Sequence, residues 1–202
     1  MGFTVYDYRE DVRNVLVTPQ IRSRFLRMEP GEDSGAHSHD LGQEVFLVLA
    51  GRAEFTIDGE SKEVGPGQMC VALVDQLHSL RVVGDEPMTM YLSVTPHIQP
   101  THTMWSAEGN RMPNRFTPSS AYDIETDTTT PLPELMQRLA EATRAVSDAA
   151  EGALDREAST TVEGDDAIAA RDEIWDGLVE VFRRSASLAE LWNEIASRAG
   201  GT

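Results

Sequence analysis

Two histidines and a glutamate lie close together in the first quarter of the sequence, directly before an apolar run of strand length. His37 and His39 are separated by one residue, so on an extended segment their side chains point to the same side. Glu44 follows a glycine-containing turn that can bring its carboxylate back to the two imidazoles. Three inward-pointing ligands of these types suit a divalent metal ion with open coordination positions. His78, further along the chain, is a candidate fourth ligand.

The sequence around these residues predicts short strands. The clearest turn between them is Asp58-Gly59, a dipeptide typical of a type I′ hairpin. The continuously apolar run 45–50 predicts a strand that is buried on both faces. The predicted strands are 14–18, 21–28, 45–50, 52–57, 60–64, 69–74, 78–83 and 88–95. Their close spacing, without a helical period, indicates an all-β sandwich or barrel.

The apolar period changes to 3.6 after residue 131, which predicts a helical C-terminal region. We expect about three helices in 132–202, the third of them opened by a capping box at Ser187-Leu-Ala-Glu190. Residues 1–115 are then a β-barrel with N-terminal strands and a trailing loop, and 116–131 is a linker. The helical region contains no histidine or cysteine, so chemistry is expected in the barrel.

Charge and composition exclude several kinds of partner. The formal net charge of −17 at pH 7 disfavours binding to nucleic acid and to anionic membrane surfaces. No apolar run approaches the ~20 residues that span a bilayer, and the N-terminal residues lack the features of a signal peptide. We therefore expect a cytoplasmic protein. Cys70 is the single cysteine, which excludes an internal disulfide, and its apolar neighbours predict a buried structural thiol.

The spacing of the first ligand group resembles the first motif of the cupin superfamily, Gly-x5-His-x-His-x4-Glu-x6-Gly. The motif is matched in full by Gly31, His37, His39, Glu44 and Gly51. Five fixed residues at fixed spacing rarely coincide in an arbitrary sequence, so this match is specific.

The second cupin motif, Gly-x5-Pro-x-Gly-x2-His-x3-Asn, is matched only in part. Gly67 and His78 fall in register, which supports His78 as the fourth ligand. Leu73 stands where the family has proline, Asp75 replaces the second glycine, and Val82 replaces the asparagine. These departures affect the turn beside the pocket mouth and leave the histidine in place.

The resemblance covers about 14–96 and implies a cupin-type double-stranded β-helix, or jelly-roll, barrel with a divalent transition metal inside it. In cupins the matching positions bind the metal, so the implied ligands are His37, His39, Glu44 and His78. Such a site accepts Fe, Mn, Ni, Cu, Co or Zn, and the ligand types do not identify the metal. Cupins commonly dimerise through their sheets, so a homodimer is also implied.

The resemblance implies an enzyme that acts on a small oxygen-bearing organic substrate, with dioxygenase-like chemistry slightly favoured over isomerisation or decarboxylation. Glu44 is the candidate catalytic residue, as a metal ligand that doubles as a weak base. The alternative is a non-catalytic, metal-dependent protein that binds or senses a small molecule. A third interpretation is that the helical region mainly drives oligomerisation or partner binding.

Four further polar residues have two interpretations each. His97 and His102 follow the last predicted strand, and we favour surface-loop positions over positions at the barrel mouth. Arg24 and Arg27 either face the interior, where they would bind a carboxylate or enolate, or face solvent. The phase of their strand is not clear enough in the sequence to decide.

Overall fold

The computed structural model describes residues 2–106, 108–125, 127–159 and 167–199. Within these ranges ten strands are followed by two helices. The strands are β1 (Asn14–Val17), β2 (Arg22–Met28), β3 (His37–Ser38), β4 (Gln43–Ala50), β5 (Ala53–Ile57), β6 (Glu60–Val64), β7 (Met69–Ala72), β8 (His78–Val82), β9 (Met88–Thr95) and β10 (Thr103–Met104), and the helices are α1 (Leu132–Ser159) and α2 (Ala167–Ala199). Every predicted strand is present, and the two-residue strands β3 and β10 are additional.

The strands form two five-stranded antiparallel sheets around a shared core. The first sheet has the order β1-β2-β9-β4-β7, and the second has the order β10-β3-β8-β5-β6. Asp58 and Gly59, between β5 and β6, have φ angles of 48° and 82°, which confirms the type I′ hairpin. A jelly-roll barrel followed by α-helices is the fold class that the sequence predicts.

Alternate residues of the central strands point into the barrel. The sequence predicts this orientation for four residues that the structure buries: Phe46 and Val48 of β4, and Leu80 and Val82 of β8. Met88 and Met90 of β9 are almost fully buried in the same core. The row that contains Glu44 and Val94 lies further along β4 and β9.

The expectation that the run 45–50 is buried on both faces is wrong. Val45 and Leu47 are only half-buried, because they lie on the outer face of the first sheet, whereas Phe46 and Val48 are buried. A central strand of a two-sheet barrel needs only one fully buried face, and apolar residues on its other face make its sequence look continuously hydrophobic.

The predicted linker at 116–131 is divided between two compact units. The structure divides into two compact units, and the second unit spans Asp127–Ile195. Residues before 126 belong to the barrel unit, in which a 3-10 helix at Ser119–Tyr122 has a buried tyrosine. The hydroxyl groups of Tyr122 and Thr101 are 2.9 Å apart. One aromatic side chain therefore anchors a segment whose polar composition indicates a linker.

A single helix, α2, replaces the second and third predicted helices. The predicted capping box at Ser187 is wrong, because the Ser187 hydroxyl donates to the carbonyl oxygen of Arg183 at 3.4 Å. A serine that bonds to a carbonyl one turn earlier lies within a helix rather than starting one. No helix in the described ranges is long and apolar enough to cross a bilayer.

Candidate metal centre

Strands from both sheets bring the four predicted ligands together. His37 of β3 lies directly opposite His78 of β8 in the second sheet. Glu44 is the first inward-facing residue of β4 in the first sheet, and His39 lies between β3 and β4. One ligand atom from each of the four residues lies within 4.8 Å of the others. The complete predicted ligand set therefore meets at one point inside the barrel.

Three imidazole nitrogens converge on one carboxylate oxygen. Glu44 Oε2 lies 2.9 Å from His39 Nε2, 3.1 Å from His78 Nε2 and 3.8 Å from His37 Nε2. His39 is 1% exposed, His78 is 3% exposed and Glu44 is 4% exposed. The cluster is therefore a compact set of three nitrogens and one oxygen, in which only His37, with 12% of its side chain exposed, reaches solvent.

A hydrogen bond on the side of each ring away from the cluster fixes the tautomer of each imidazole, because each Nδ1 donates to a backbone carbonyl oxygen. The pairs are His37 with Gly35 at 3.0 Å, His39 with Thr101, and His78 with Gln76 at 2.8 Å. A carbonyl oxygen can only accept, so each Nδ1 carries a hydrogen, and in the neutral imidazole each Nε2 directs a lone pair at the centre. Metal-ligating histidines are held by the same kind of bond at their second nitrogen.

The four donors fit a divalent transition metal. Three Nε2 lone pairs and an ionised carboxylate face one another in a buried space, and a cation relieves their repulsion. Although burial opposes ionisation of Glu44, its contacts with the three histidines hold its pKa well below the ordinary value. Burial also opposes protonation of His37, yet the neighbouring carboxylate raises the pKa of that histidine. Both shifts stabilise an ionised Glu44 beside the histidines.

Gly42 allows the chain to turn tightly between two of the ligands. A Cβ atom at this position would lie 2.8 Å from Val94 Cγ1 and 3.0 Å from the carbonyl oxygen of Pro96. Only glycine therefore lets the turn pass this close to β9. The tight turn between His39 and Glu44 lets both side chains point into the ligand cluster.

Asp75 occupies the turn before His78 where the cupin motif has glycine. Its φ angle is 64°, a left-handed conformation that glycine adopts with the least strain. Its amide nitrogen donates to the carbonyl oxygen of His39 at 3.0 Å. The departure from the motif therefore keeps the glycine-like backbone, which supports one ligand and leads into another.

A cavity of about 190 Å³ opens beside the cluster. His37, Glu44 and His78 form part of its wall, and apolar side chains such as Leu80 and Leu92 form much of the rest. This volume is below the roughly 300–1,000 Å³ of drug-sized sites, so a ligand bound here is small. A larger cavity, of about 510 Å³, lies along β5, β6 and β7 and contains none of the predicted ligands.

His102 lines the cavity, which corrects the prediction that it is a surface-loop residue. Its ring centre lies 5.0 Å from that of His37 and 4.9 Å from that of His39. Its Nδ1 is 2.8 Å from the Thr101 hydroxyl, so Thr101 holds one ligand by its carbonyl and this fourth imidazole by its side chain. Burial lowers the pKa of His102 to about 3. A two-residue strand places it here, and such a strand has no sequence pattern of its own.

His97 is also buried, so its prediction as a surface residue is wrong. It is 3% exposed, and its ring packs edge-on against Tyr122 with 4.7 Å between the ring centres. Burial lowers the pKa of His97 to about 4. His97 does not contribute to the wall of the 190 Å³ cavity, and we assign it a packing role.

The structure resolves the orientation of the arginines on β2. Arg24 lines the cavity, and Arg27 is exposed. Arg22, which the sequence argument did not single out, lines the same cavity. Residues two apart on a strand share a face, so the strand phase, once known, places Arg22 with Arg24 and excludes Arg27.

Comparisons with known proteins match the barrel region. Residues 24–95 match the family model described as Cupin domain. Polyketide synthase CurC from Streptomyces cyaneus is 34% identical over 91 residues, which cover 43% of this chain and 59% of that protein. The chain therefore spans less than two thirds of that relative's length.

Two solved structures illustrate the range of similar proteins. A protein with a double-stranded β-helix domain from Klebsiella pneumoniae is 25% identical, with a TM-score of 0.43, and the match covers 46% of this chain and 84% of that chain. The DMSP lyase DddQ from Ruegeria pomeroyi is 22% identical, with a TM-score of 0.41, and the match covers 46% of this chain and 47% of that chain.

The family-model match, the complete first motif and the two-sheet topology agree with one another. Residues 24–95 therefore match the cupin family, and they form most of the two-sheet barrel that the resemblance implies.

Proposed function

We propose that this protein is a metal-dependent enzyme that acts on a small oxygen-bearing organic substrate. One observation carries the proposal: three Nε2 lone pairs, each fixed by a carbonyl at Nδ1, converge with the Glu44 carboxylate on the wall of a small cavity. A purely structural polar cluster would use its donors and acceptors to satisfy one another. Each Nδ1 here already donates to a carbonyl, so the Nε2 atoms can satisfy Glu44 Oε2 only if the imidazoles are protonated. A bound cation would serve all four ligands with neutral imidazoles, which favours a metal.

His37, His39, His78 and Glu44 would hold the metal. A divalent transition metal supplies Lewis acidity and, where it is redox-active, the capacity for oxygen chemistry. The apolar wall excludes bulk water from the substrate and strengthens the electrostatic interactions inside the cavity. The carbonyl groups behind the imidazoles keep the ligands in place, so little reorganisation is needed when a substrate enters.

We assign Glu44 the role of a ligand. Its pKa is held well below that of an ordinary glutamate by the three histidines, after allowance for the opposing effect of burial. A carboxylate with a lowered pKa is a weaker base, which disfavours general-base catalysis by Glu44. That catalytic role stays a prediction.

Dioxygenase-like chemistry is the reaction type we favour slightly over isomerisation and decarboxylation. Three imidazoles and one carboxylate suit redox-active ions such as Fe as well as Zn. The relative named polyketide synthase supports a polyketide-derived substrate for this chain. Polyketides carry oxygen atoms at regular intervals, and these can serve as metal ligands.

The first experiment measures metal content. The wild-type protein and a His37→Ala variant are purified separately under the same conditions, and the metal content of each is measured by inductively coupled plasma mass spectrometry. Glu54→Gln, at an exposed position of β5, is the matched control. We expect near-stoichiometric metal in the wild type and the control and at least tenfold less in His37→Ala. Equal and low metal content in all three proteins would overturn the metal-enzyme proposal.

The second experiment follows oxygen consumption by the iron-restored protein with enediols, thiols and catechols. Turnover that is lost in His37→Ala supports the oxygenase assignment. Metal binding and ligand binding without turnover of any compound would favour the non-catalytic sensor instead. The homodimer implied by the cupin resemblance stays a prediction, and sedimentation velocity of the 22.3-kDa chain is its test.

A further inference from the structure

Two arginines of β2 reach into the cavity that contains the metal centre. Arg22 is 5% exposed, and its Nε donates to the Asn14 side-chain oxygen at 2.8 Å. Its guanidinium carbon also lies 4.8 Å from the centre of the Tyr122 ring. Arg24 Nε is buried and has no hydrogen-bond partner among the described residues. Neutral groups therefore hold the first guanidinium, and the second keeps a free donor beside the cavity.

Neither guanidinium has a described carboxylate in direct contact, although the charges of Asp123 and Glu44 act on both from further away. Among the described residues no carboxylate lies within 4.0 Å of Arg22 or Arg24. Glu44 shares the cavity, but its Oε2 is directed at the three histidines. Burial lowers the pKa of both arginines, and a guanidinium still remains protonated in proteins. Buried charges without a partner are costly, so their presence favours a function.

The cavity is therefore positively charged. Two guanidinium cations face one carboxylate, which leaves one net positive charge, and a divalent cation at the histidine cluster raises it to three. The remaining wall residues carry no ionised acid. Such a cavity attracts a small anion and repels a small cation.

The strand register sets the distance between the arginines and the cluster. Arg22 and Glu44 both pair with Val94, from opposite sides of β9, and Arg24 pairs with Leu92 in the next inward row. Strands β2 and β4 are two spacings apart, or roughly 10 Å between backbones. Inward-pointing side chains shorten this separation, so one small molecule can reach both groups.

We propose that Arg24, supported by Arg22, binds the carboxylate of a small substrate whose second oxygen lies at the metal centre. The planar guanidinium offers parallel N–H donors that match the two oxygens of a carboxylate. Leu26, Met90 and Leu92 line the same cavity and contact the hydrocarbon part. The substrate is therefore a small, partly apolar carboxylic acid. This assignment rests on the proposed function for its second contact only, because anion binding at Arg24 is measurable without metal.

The test compares benzoate with its neutral analogue benzamide on the metal-free full-length protein. Binding is measured by titration with ligand-observed NMR. We expect benzoate to bind at least tenfold more tightly than benzamide, as befits a charge-assisted pair of hydrogen bonds. Arg24→Gln removes this preference, and Arg24→Lys restores part of it. Arg27→Gln, on the outer face of the same strand, is the matched control and leaves it unchanged.

The proposal is overturned if benzamide binds the wild type as tightly as benzoate does, or if Arg24→Gln retains the preference. Should Arg24→Gln fail to fold, the benzoate-to-benzamide ratio in the wild type and in Arg24→Lys decides. Acetylacetone is the third probe, because its enol loses a proton to give an enolate anion that is not a carboxylate. Tighter binding of this enolate than of benzoate would overturn the carboxylate assignment. If the protein binds no metal but prefers benzoate, only the proposed function is refuted. If it binds metal normally but shows no preference for the anion, only this inference is refuted.

Discussion

Glu44 supplies the single negative charge of the ligand cluster, so its replacement by glutamine isolates the contribution of that charge to metal binding. The side chain keeps its size, and its new amide NH2 group can donate to the Nε2 atom of His39 or His78, which lie 2.9 and 3.1 Å from Glu44 Oε2 in the wild type. We therefore expect Glu44→Gln to fold. We expect added metal to raise the Tm of this variant only slightly.

The magnitude follows from ligand linkage. A metal ion at 100 times its dissociation constant stabilises the folded protein by about 2.7 kcal/mol. Changes to groups that merely support a metal ligand weaken affinity by about 10–100-fold, so we take 100-fold for loss of the charged ligand itself. At the same free metal concentration the variant then gains only about 0.4 kcal/mol. The difference of about 2.3 kcal/mol corresponds to about 5–9 °C in Tm for a chain of this length.

The assay is a thermal melt of each protein with and without the divalent ion, monitored by circular dichroism. The quantity compared is the metal-induced shift in Tm, which does not depend on the metal-free stability of each variant. Glu54→Gln is the control, because Glu54 is an exposed glutamate on β5. A shift of wild-type size in Glu44→Gln would refute the reasoning, because it would mean that the carboxylate is not a ligand.

Three further predictions concern the frame of the site. Gly42→Ala places a Cβ 2.8 Å from Val94 Cγ1, so we expect a loss of about 1–3 kcal/mol in the free energy of unfolding, measured in urea; an unchanged midpoint would contradict the packing argument. Asp75→Gly relieves the backbone strain of an aspartate at a φ angle of 64°, so we expect it to raise the free energy of unfolding by about 0.5–1 kcal/mol. A lower urea midpoint would show that Asp75 makes a contact that stabilises the protein by more than this strain costs. Burial and the charge of Glu44 raise the pKa of Cys70 to about 11, so alkylation by iodoacetamide should accelerate about tenfold per pH unit from pH 8 to pH 10; a rate that levels off by pH 9 would show an ordinary thiol.

The strands and the first three ligands could be predicted because they follow local rules, whereas His78 and the jelly-roll barrel came from the cupin resemblance. Side chains alternate along strands, which placed His37 with His39, and Phe46 and Val48 on the inward face. The glycine-containing turn after His39 left room for Glu44 to return. Each of these relations spans fewer than a dozen residues, so the sequence pattern contains it.

The missed features depend on tertiary contacts. His102 enters the site because β10 pairs with β3 and because Thr101 bonds to the ring. Arg22 and Arg24 were separable from Arg27 only once the register of β2 against β9 fixed which face points inward. Ser187 shows the converse, since a Ser-x-x-Glu pattern that can start a helix lies inside α2. In each case a partner distant in sequence, or the length of the surrounding element, decides the outcome.

The most direct test of the metal centre is anomalous diffraction from crystals of the metal-loaded protein, collected at the absorption edge of the bound ion. We predict one peak inside the barrel, with Nε2 of His37, His39 and His78 and a carboxylate oxygen of Glu44 at about 2.0–2.2 Å. An open coordination position should face the cavity that Arg24 lines. A peak elsewhere in the protein, with these four side chains unligated, would contradict the account.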